Sequence, residues 1–227
     1  MRRWDLIDCE AVISEGGRAA LRGGRVAQYG FMTAEKIYND FRLWVRGKAG
    51  HSSVPQPRNA IYAAARIVQK LESFRTPLRV IPTVAATLEG LAAPPAFGPS
   101  RELMKRTAAG DLAAADELAK EPRFNAQLRS TFVPTIARGG IRENVLPEDV
   151  EINFNARLLP GDRIDVLIKD LMAHAGVEKY EVVEGDEKKI AAWKKANREV
   201  EAAVFLVDRG LDAPASPLDT EAFAALG

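Results

Sequence analysis

Hydrophobic and polar positions alternate with period two in two stretches of the chain. In residues 39–48, Phe41, Leu43 and Val45 share one face, and Arg42, Trp44 and Arg46 share the other. That is the pattern of a half-buried strand. In residues 148–159, Val150, Ile152, Phe154, Ala156 and Leu158 alternate with Glu151, Asn153, Asn155 and Arg157, which predicts a second strand. Between them the period changes. Ile61, Ala64, Ala65, Val68 and Leu71 recur at helical spacing, with Arg66, Gln69 and Lys70 facing away. A helix is therefore expected to about residue 74, with Pro57 in its first turn. A further apolar stripe, Ile164, Leu167, Ile168 and Leu171, predicts a helix that Asp162 can cap and Gly176 can end.

The remaining segments fill in around these. Thr131–Ala137 reads as a strand whose Pro134 argues for an edge or a bulge. Glu178–Val183 reads as a fourth strand and 190–206 as another helix. Residues 5–14 and Val26–Phe31 read as strands ahead of all this, and 215–227 as a short capped helix. The stretch 82–128 holds a Pro- and Gly-rich loop near 94–100, then short helices near 100–108, 111–120 and 122–129. From 39 to 184 the order is strand, helix, helical insertion, strand, strand, helix, strand. This predicts an α+β two-layer sandwich: a four-stranded antiparallel sheet with two helices on one face, a ferredoxin-like arrangement. The other face, carrying Asn155 and Arg157, is expected to be free for water, a partner or a ligand.

Composition narrows the function classes. Hydrophobic residues are 47 % and charged residues 28 %, with a net charge of +1. No strong field favours nucleic acid or an anionic membrane. The single cysteine, Cys9, excludes a disulfide within the chain and a Cys-rich zinc site. No apolar run approaches the roughly 20 residues of a membrane span. Gly16-Gly17 and Gly23-Gly24 lack a phosphate-cradling pattern. Ser52 and Ser53 show no nucleophile geometry and read as loop and capping residues.

Several short motifs then occur in order: Glu15-Gly16-Gly17, Glu35-Lys36, Gly50-His51-Ser52-Ser53-Val54-Pro55, Gly139-Gly140 with Asn144-Val145-Leu146-Pro147, and Asn155-Ala156-Arg157. Together they resemble the zinc aminoacylase/carboxypeptidase family, the M-20 metallopeptidases. The helical insertion and Ser216-Pro217-Leu218-Asp219-Thr220 resemble its carboxypeptidase S and N-acyl-amino-acid hydrolase branch. The resemblance implies a lid or dimerisation domain over 38–186, with the insertion at about 85–129. Residues 1–37 and 187–227 would be remnants of a catalytic domain. It also implies a homodimer formed through the lid, the missing catalytic segments as further partners, and a small N-acyl amino acid or peptide as the parent's substrate.

The resemblance also assigns roles. His51 matches a lid histidine that donates to the oxyanion, often in the other subunit's site. Arg157 matches the arginine that grips the substrate carboxylate, for which a guanidinium fork is suited. Asn144 matches a substrate-contacting asparagine. Glu15 matches one zinc ligand of the two-zinc parent. The family's remaining ligands, in a His-x-Asp motif, a Glu-Glu pair and a later His, have no counterpart here, where the only histidines are His51 and His174. Zinc wants about four ligands, so no cofactor is expected in this chain and the chain alone is expected to be inactive. A strand at 5–14 without its sheet would be an exposed edge, so residues 1–36 are expected to be disordered or to pair with a neighbouring chain. The compartment stays open, with the cytoplasm favoured. A second reading is a free-standing, non-catalytic α+β binding or dimerisation module.

Overall fold

The computed structural model describes residues 18–22, 24–30, 32–93, 100–211 and 214–226. Strands β1 (Arg18–Arg22) and β2 (Arg25–Gly30) pair with each other as an antiparallel hairpin, so these two segments are ordered where disorder was one of the two expectations. The strand expected at 5–14 lies outside the described residues. An extended lead-in, 32–36, then reaches β3 (Ile37–Arg46), which is followed by the short β4 (Gly50–His51) and α1 (Ala60–Glu72). Asn59, not Pro57, opens α1. Its side-chain oxygen accepts from the N–H groups of Ile61 and Tyr62 and so satisfies two donors that the first turn leaves free.

The insertion consists of α2 (Pro82–Ala92), α3 (Ser100–Ala108), α4 (Leu112–Leu118) and α5 (Pro122–Leu128). It folds around its own small core, in which Leu88, Met104, Leu118, Phe124 and Leu128 meet. Helix α2 went unpredicted. Its Pro82 sits in the first turn, where the missing N–H costs nothing, although a proline reads as a breaker in a bare sequence. The chain continues through β5 (Thr131–Gly139), the short β6 (Val145–Leu146), β7 (Asp149–Leu158), α6 (Ile164–Ala175), β8 (Glu181–Glu184), α7 (Glu187–Ala196), β9 (Ala202–Arg209) and α8 (Glu221–Leu226).

The main sheet has five strands, not four, in the order β5-β7-β3-β9-β8, and the β8·β9 pair is parallel. The expected fourth strand lies at the edge as β8, while β9 takes the place beside β3. The predicted helix over 190–206 is really α7 followed by β9. Ala202 to Leu206 is apolar on both faces, as a strand covered on both sides requires, and Ala203, Val204 and Phe205 have no exposure at all. The second sheet face is correspondingly not all open. Ile190 and Trp193 of α7 pack on Trp44, Ala203 and Phe205, with the Trp193 ring edge-on to Trp44 at 5.8 Å and to Phe205 at 5.4 Å.

The first face carries the larger core. Leu71 of α1 and Ile168, Leu171 and Met172 of α6 lie on Phe41, Leu43, Phe154, Val204 and Leu206. Phe41 and Phe154 stack with centroids 5.2 Å apart. Asp162 does not cap α6: Arg163 holds that position without a side-chain bond, and Asp162 pairs instead with Arg79 and accepts from Ser130. The chain enters and leaves this sheet side by side. The N–H of Ser216 donates to Thr33 O at 2.7 Å, and that of Gly210 to Asn39 Oδ1 at 3.1 Å.

Candidate functional site

At Gly47 the chain turns off the sheet toward His51. A Cβ at Gly47 would stand 2.8 Å from Ala60 N and 3.1 Å from Pro147 O, a closer approach than any side chain allows. Its N–H donates to Glu148 O at 2.7 Å, which joins the loop after β3 to the loop before β7. Gly140, at φ +78°, lets the second loop turn back. The two loops then zip together: Gly50 pairs with Leu146, His51 with Val145, and Ser52 N–H donates to Asn144 O at 3.0 Å. The fold therefore brings His51 and Asn144, 93 residues apart in sequence, onto one exposed two-stranded arm.

The His51 ring is held on one side. Ser53 N–H donates to its Nδ1 at 3.2 Å, and Ser53 Oγ lies 2.7 Å from the same nitrogen. A backbone N–H can only donate, so Nδ1 is the acceptor and the neutral imidazole carries its proton on Nε2. The exposed side of His51 thus presents a hydrogen-bond donor. Ser53 is not a helix cap.

Arg157 lies elsewhere. It is exposed near the C-terminal end of β7, paired in register with Tyr38, and its guanidinium sits 4.5 Å from the centre of the Tyr38 ring. Tyr38 in turn donates to Asp40, which also accepts from Asn155 Nδ2 at 2.9 Å. The bond to Asp40 pushes the Tyr38 phenol above its ordinary pKa. The arm with His51 and Asn144 leaves from the Arg46↔Asp149 end of the same ladder, eight steps from Tyr38↔Arg157. At about 3.4 Å per residue this is roughly 27 Å. The structure brings two of the candidate residues together and holds the third at the opposite end of the sheet.

One residue at the Arg157 end received no role from the sequence reading. The Lys36 ammonium donates to Ala126 O (3.0 Å), Arg129 O (3.0 Å) and Thr131 Oγ1 (2.9 Å). Burial, then the neighbouring Arg157 charge, lowers its pKa from 10.5 to about 8. The sequence offered two hints: the Glu35-Lys36 pair among the ordered motifs, and its place directly before an alternating strand.

Glu15 lies outside the described residues. Among the described residues no three His, Cys, Asp or Glu side chains come together as a group able to hold a metal ion, so the residues in view do not fit the zinc site that the resemblance implies. No helix among them is long and apolar enough to cross a membrane.

A family profile described as the peptidase dimerisation domain of the M20 peptidases matches residues 33–183. The chain belongs to this family. The M20 match contains His51, Asn144, Arg157, Lys36 and the whole helical insertion, and leaves Glu15 outside. Relatives of this M20 domain include the human N-fatty-acyl-amino acid synthase/hydrolase, 28 % identical over 139 residues, which make up 60 % of this chain and 27 % of that protein. Carboxypeptidase S of Saccharomyces cerevisiae is 26 % identical over 145 residues, 56 % of this chain and 23 % of its own length. The matches thus span about a quarter of these relatives. Among solved structures, a hydantoinase/carbamoylase family amidase from Burkholderia ambifaria aligns over 85 % of this chain and 32 % of its own, with 16 % identity and a TM-score of 0.38.

Proposed function

We propose that this chain is the lid and dimerisation domain, about residues 38–186, of a zinc-dependent amidohydrolase acting on N-acyl amino acids or small peptides. The family match and the hydrolase relatives support the class. Residues 1–37 and the segment that follows β9 belong in this reading to the flanking catalytic domain, whereas α7 and β9, although beyond residue 186, are built into the main sheet and go with the lid. Two zinc ions there would supply the activated water, with Glu15 as one ligand. The chain by itself, lacking that constellation, does not hydrolyse.

Each of its own residues has a task that its chemistry suits. His51 donates from Nε2 to the oxyanion of the tetrahedral intermediate, and fixed donors at that atom are worth a large part of the barrier. Asn144, beside it, contacts the substrate through its amide. Arg157 grips the carboxylate with two parallel N–H donors.

The observation that carries the reading furthest is that the His51 arm leaves from one end of the β3·β7 ladder while Arg157 lies near the other. A small substrate is far shorter than roughly 27 Å, so the two groups serve one substrate when they come from two copies. A homodimer meets that need, and the fold offers a surface for it. Strand β5 pairs only with β7, leaving its outer edge without a strand among the described residues. Val133 and Ile136 on β5, and Ile61 and Tyr62 on α1, are exposed large apolar side chains.

Mixing variants of the full-length enzyme tests this. His51→Ala and Arg157→Ala are each expected to abolish turnover. Unfolded and reassembled together, they are expected to recover about a quarter of wild-type activity, since half the dimers are mixed and each mixed dimer has one intact site. No recovery, with mixed dimers demonstrated, would place both residues in one copy's site and refute the two-copy reading.

A further inference from the structure

The helical insertion is a separate small body with its own core, and such a body attached through loops is free to swing unless something fastens it. Part of the fastening is internal to the segments that flank it: Arg79 N–H donates to Leu128 O at 2.8 Å, and Arg129 Nη1 donates to Thr76 O at 2.9 Å. These bonds join the start of the insertion to its end. They do not join it to the connector through which the chain enters the sheet.

Lys36 makes that connection. It lies on the connector, one residue before β3. Its three ammonium protons are all used: one on a carbonyl in the last turn of α5, one on the carbonyl of Arg129 just after α5, and one on the hydroxyl of Thr131, the first residue of β5. A cation at a helix C-terminus meets carbonyls that have no partner within the helix and favours the negative end of the dipole. Thr131 pairs in register with Arg157 across β5 and β7. A single side chain therefore ties the connector, the end of the insertion and the Arg157 end of the sheet into one unit.

We propose that Lys36 is a positioning residue that locks the helical insertion against the Arg157 end of the sheet, making the insertion a fixed wall of the site where a substrate carboxylate is held. The wall's meaning for substrate rests on the role proposed above for Arg157; the lock itself does not. A neutral side chain of similar length leaves two carbonyls and a hydroxyl without their donor. Arginine does not restore them, because its planar fork cannot point three donors at acceptors arranged around one nitrogen.

Hydrogen exchange on the 227-residue chain decides the matter. Lys36→Met is expected to speed exchange over residues 122–131 by about tenfold relative to the wild type, with α1 and β7 unchanged. Thr131→Val removes one of the three acceptors and keeps the cation, so it is expected to give a smaller rise in the same segment, and it decides alone if Lys36→Met does not fold. Wild-type rates over 122–131 in the folded variants, or an equal rise across the whole chain, overturn the proposal. A second readout separates a lock from mere filling of space. The Thr131 amide resonance of the wild type is expected to titrate with a midpoint near 8, with Arg157 of β7 and the Arg79-paired Asp162 as the charges around Lys36. That titration is lost in Lys36→Met; its persistence in the variant refutes the lock. None of these measurements involves turnover, so failure here leaves the Arg157 assignment to the mixed-dimer test.

Discussion

The chemistry assigned to His51 rests on a proton's location. Ser53 N–H needs an acceptor and finds Nδ1, so the donor must be Nε2. Nitrogen NMR of the neutral ring is expected to show Nδ1 unprotonated and Nε2 protonated, and a predominance of the other tautomer would remove His51 as an oxyanion donor on its open side. Ser53→Ala keeps the backbone donor and loses the hydroxyl, so it is expected to leave a mixture still weighted toward Nε2–H. Lys36 gives a second prediction at this scale. Its folded pKa of about 8 lies below the 10.5 of the unfolded chain. Between those values the unfolded state binds more protons, so stability rises with pH across that window and falls again as pH drops through 8. Partial solvent access limits the effect to on the order of 1–2 kcal/mol. Urea unfolding at pH 7.5, 9 and 10 should show the rise, and Lys36→Met should flatten it.

Among the elements, two positions hold others in place. Gly47→Ala puts a methyl group into backbone atoms of Ala60 and Pro147 at once, where no flexible side chain can yield. A loss of roughly 1–3 kcal/mol in thermal or urea unfolding is expected, with the His51 arm disturbed first. Trp193→Ala removes the ring that α7 sets against Trp44 and Phe205. A half-buried ring of this size is worth about 2 kcal/mol, and exchange in α7 should rise while α1 and α6 stay protected.

The same elements explain what could be read in advance. Strand β7 and helices α1 and α6 bury mainly one side, and β3 does so except at Trp44, which α7 covers on the other face, so period two or period 3.6 showed them directly. β9 is buried on both sides; its run of Ala, Val, Phe and Leu carries no period, and it merged with the helix before it. The parallel β8·β9 pair could not be inferred once β9 was missed. His51, Asn144 and Arg157 stood out only through motif order. Their grouping depended on how two glycine-permitted loops meet and on which end of β7 Arg157 occupies, which are tertiary facts. Lys36 stood in the Glu35-Lys36 motif without a role, because its partners lie 90 to 95 positions away.

For the whole molecule the decisive question is assembly. A sheet with an unpaired edge strand flanked by exposed apolar side chains is open to pairing with another chain, and among the described residues β5 fits that description along most of its length. A second copy offers the same edge by two-fold symmetry, so residue i of one meets residue j of the other and the contact closes without forming a filament. Sedimentation equilibrium is expected to find a dimer in the micromolar range or below. Placing like charges on the edge should weaken it, because a C2 axis brings each new charge close to its own copy. Val133→Asp and Ile136→Asp together are thus expected to raise the dissociation constant by at least tenfold, while near-ultraviolet dichroism of the Trp44–Trp193 cluster stays unchanged. A chain that remains monomeric at high concentration, or a dimer indifferent to both aspartates, would mean that His51 and Arg157 meet through some other surface or do not meet at all.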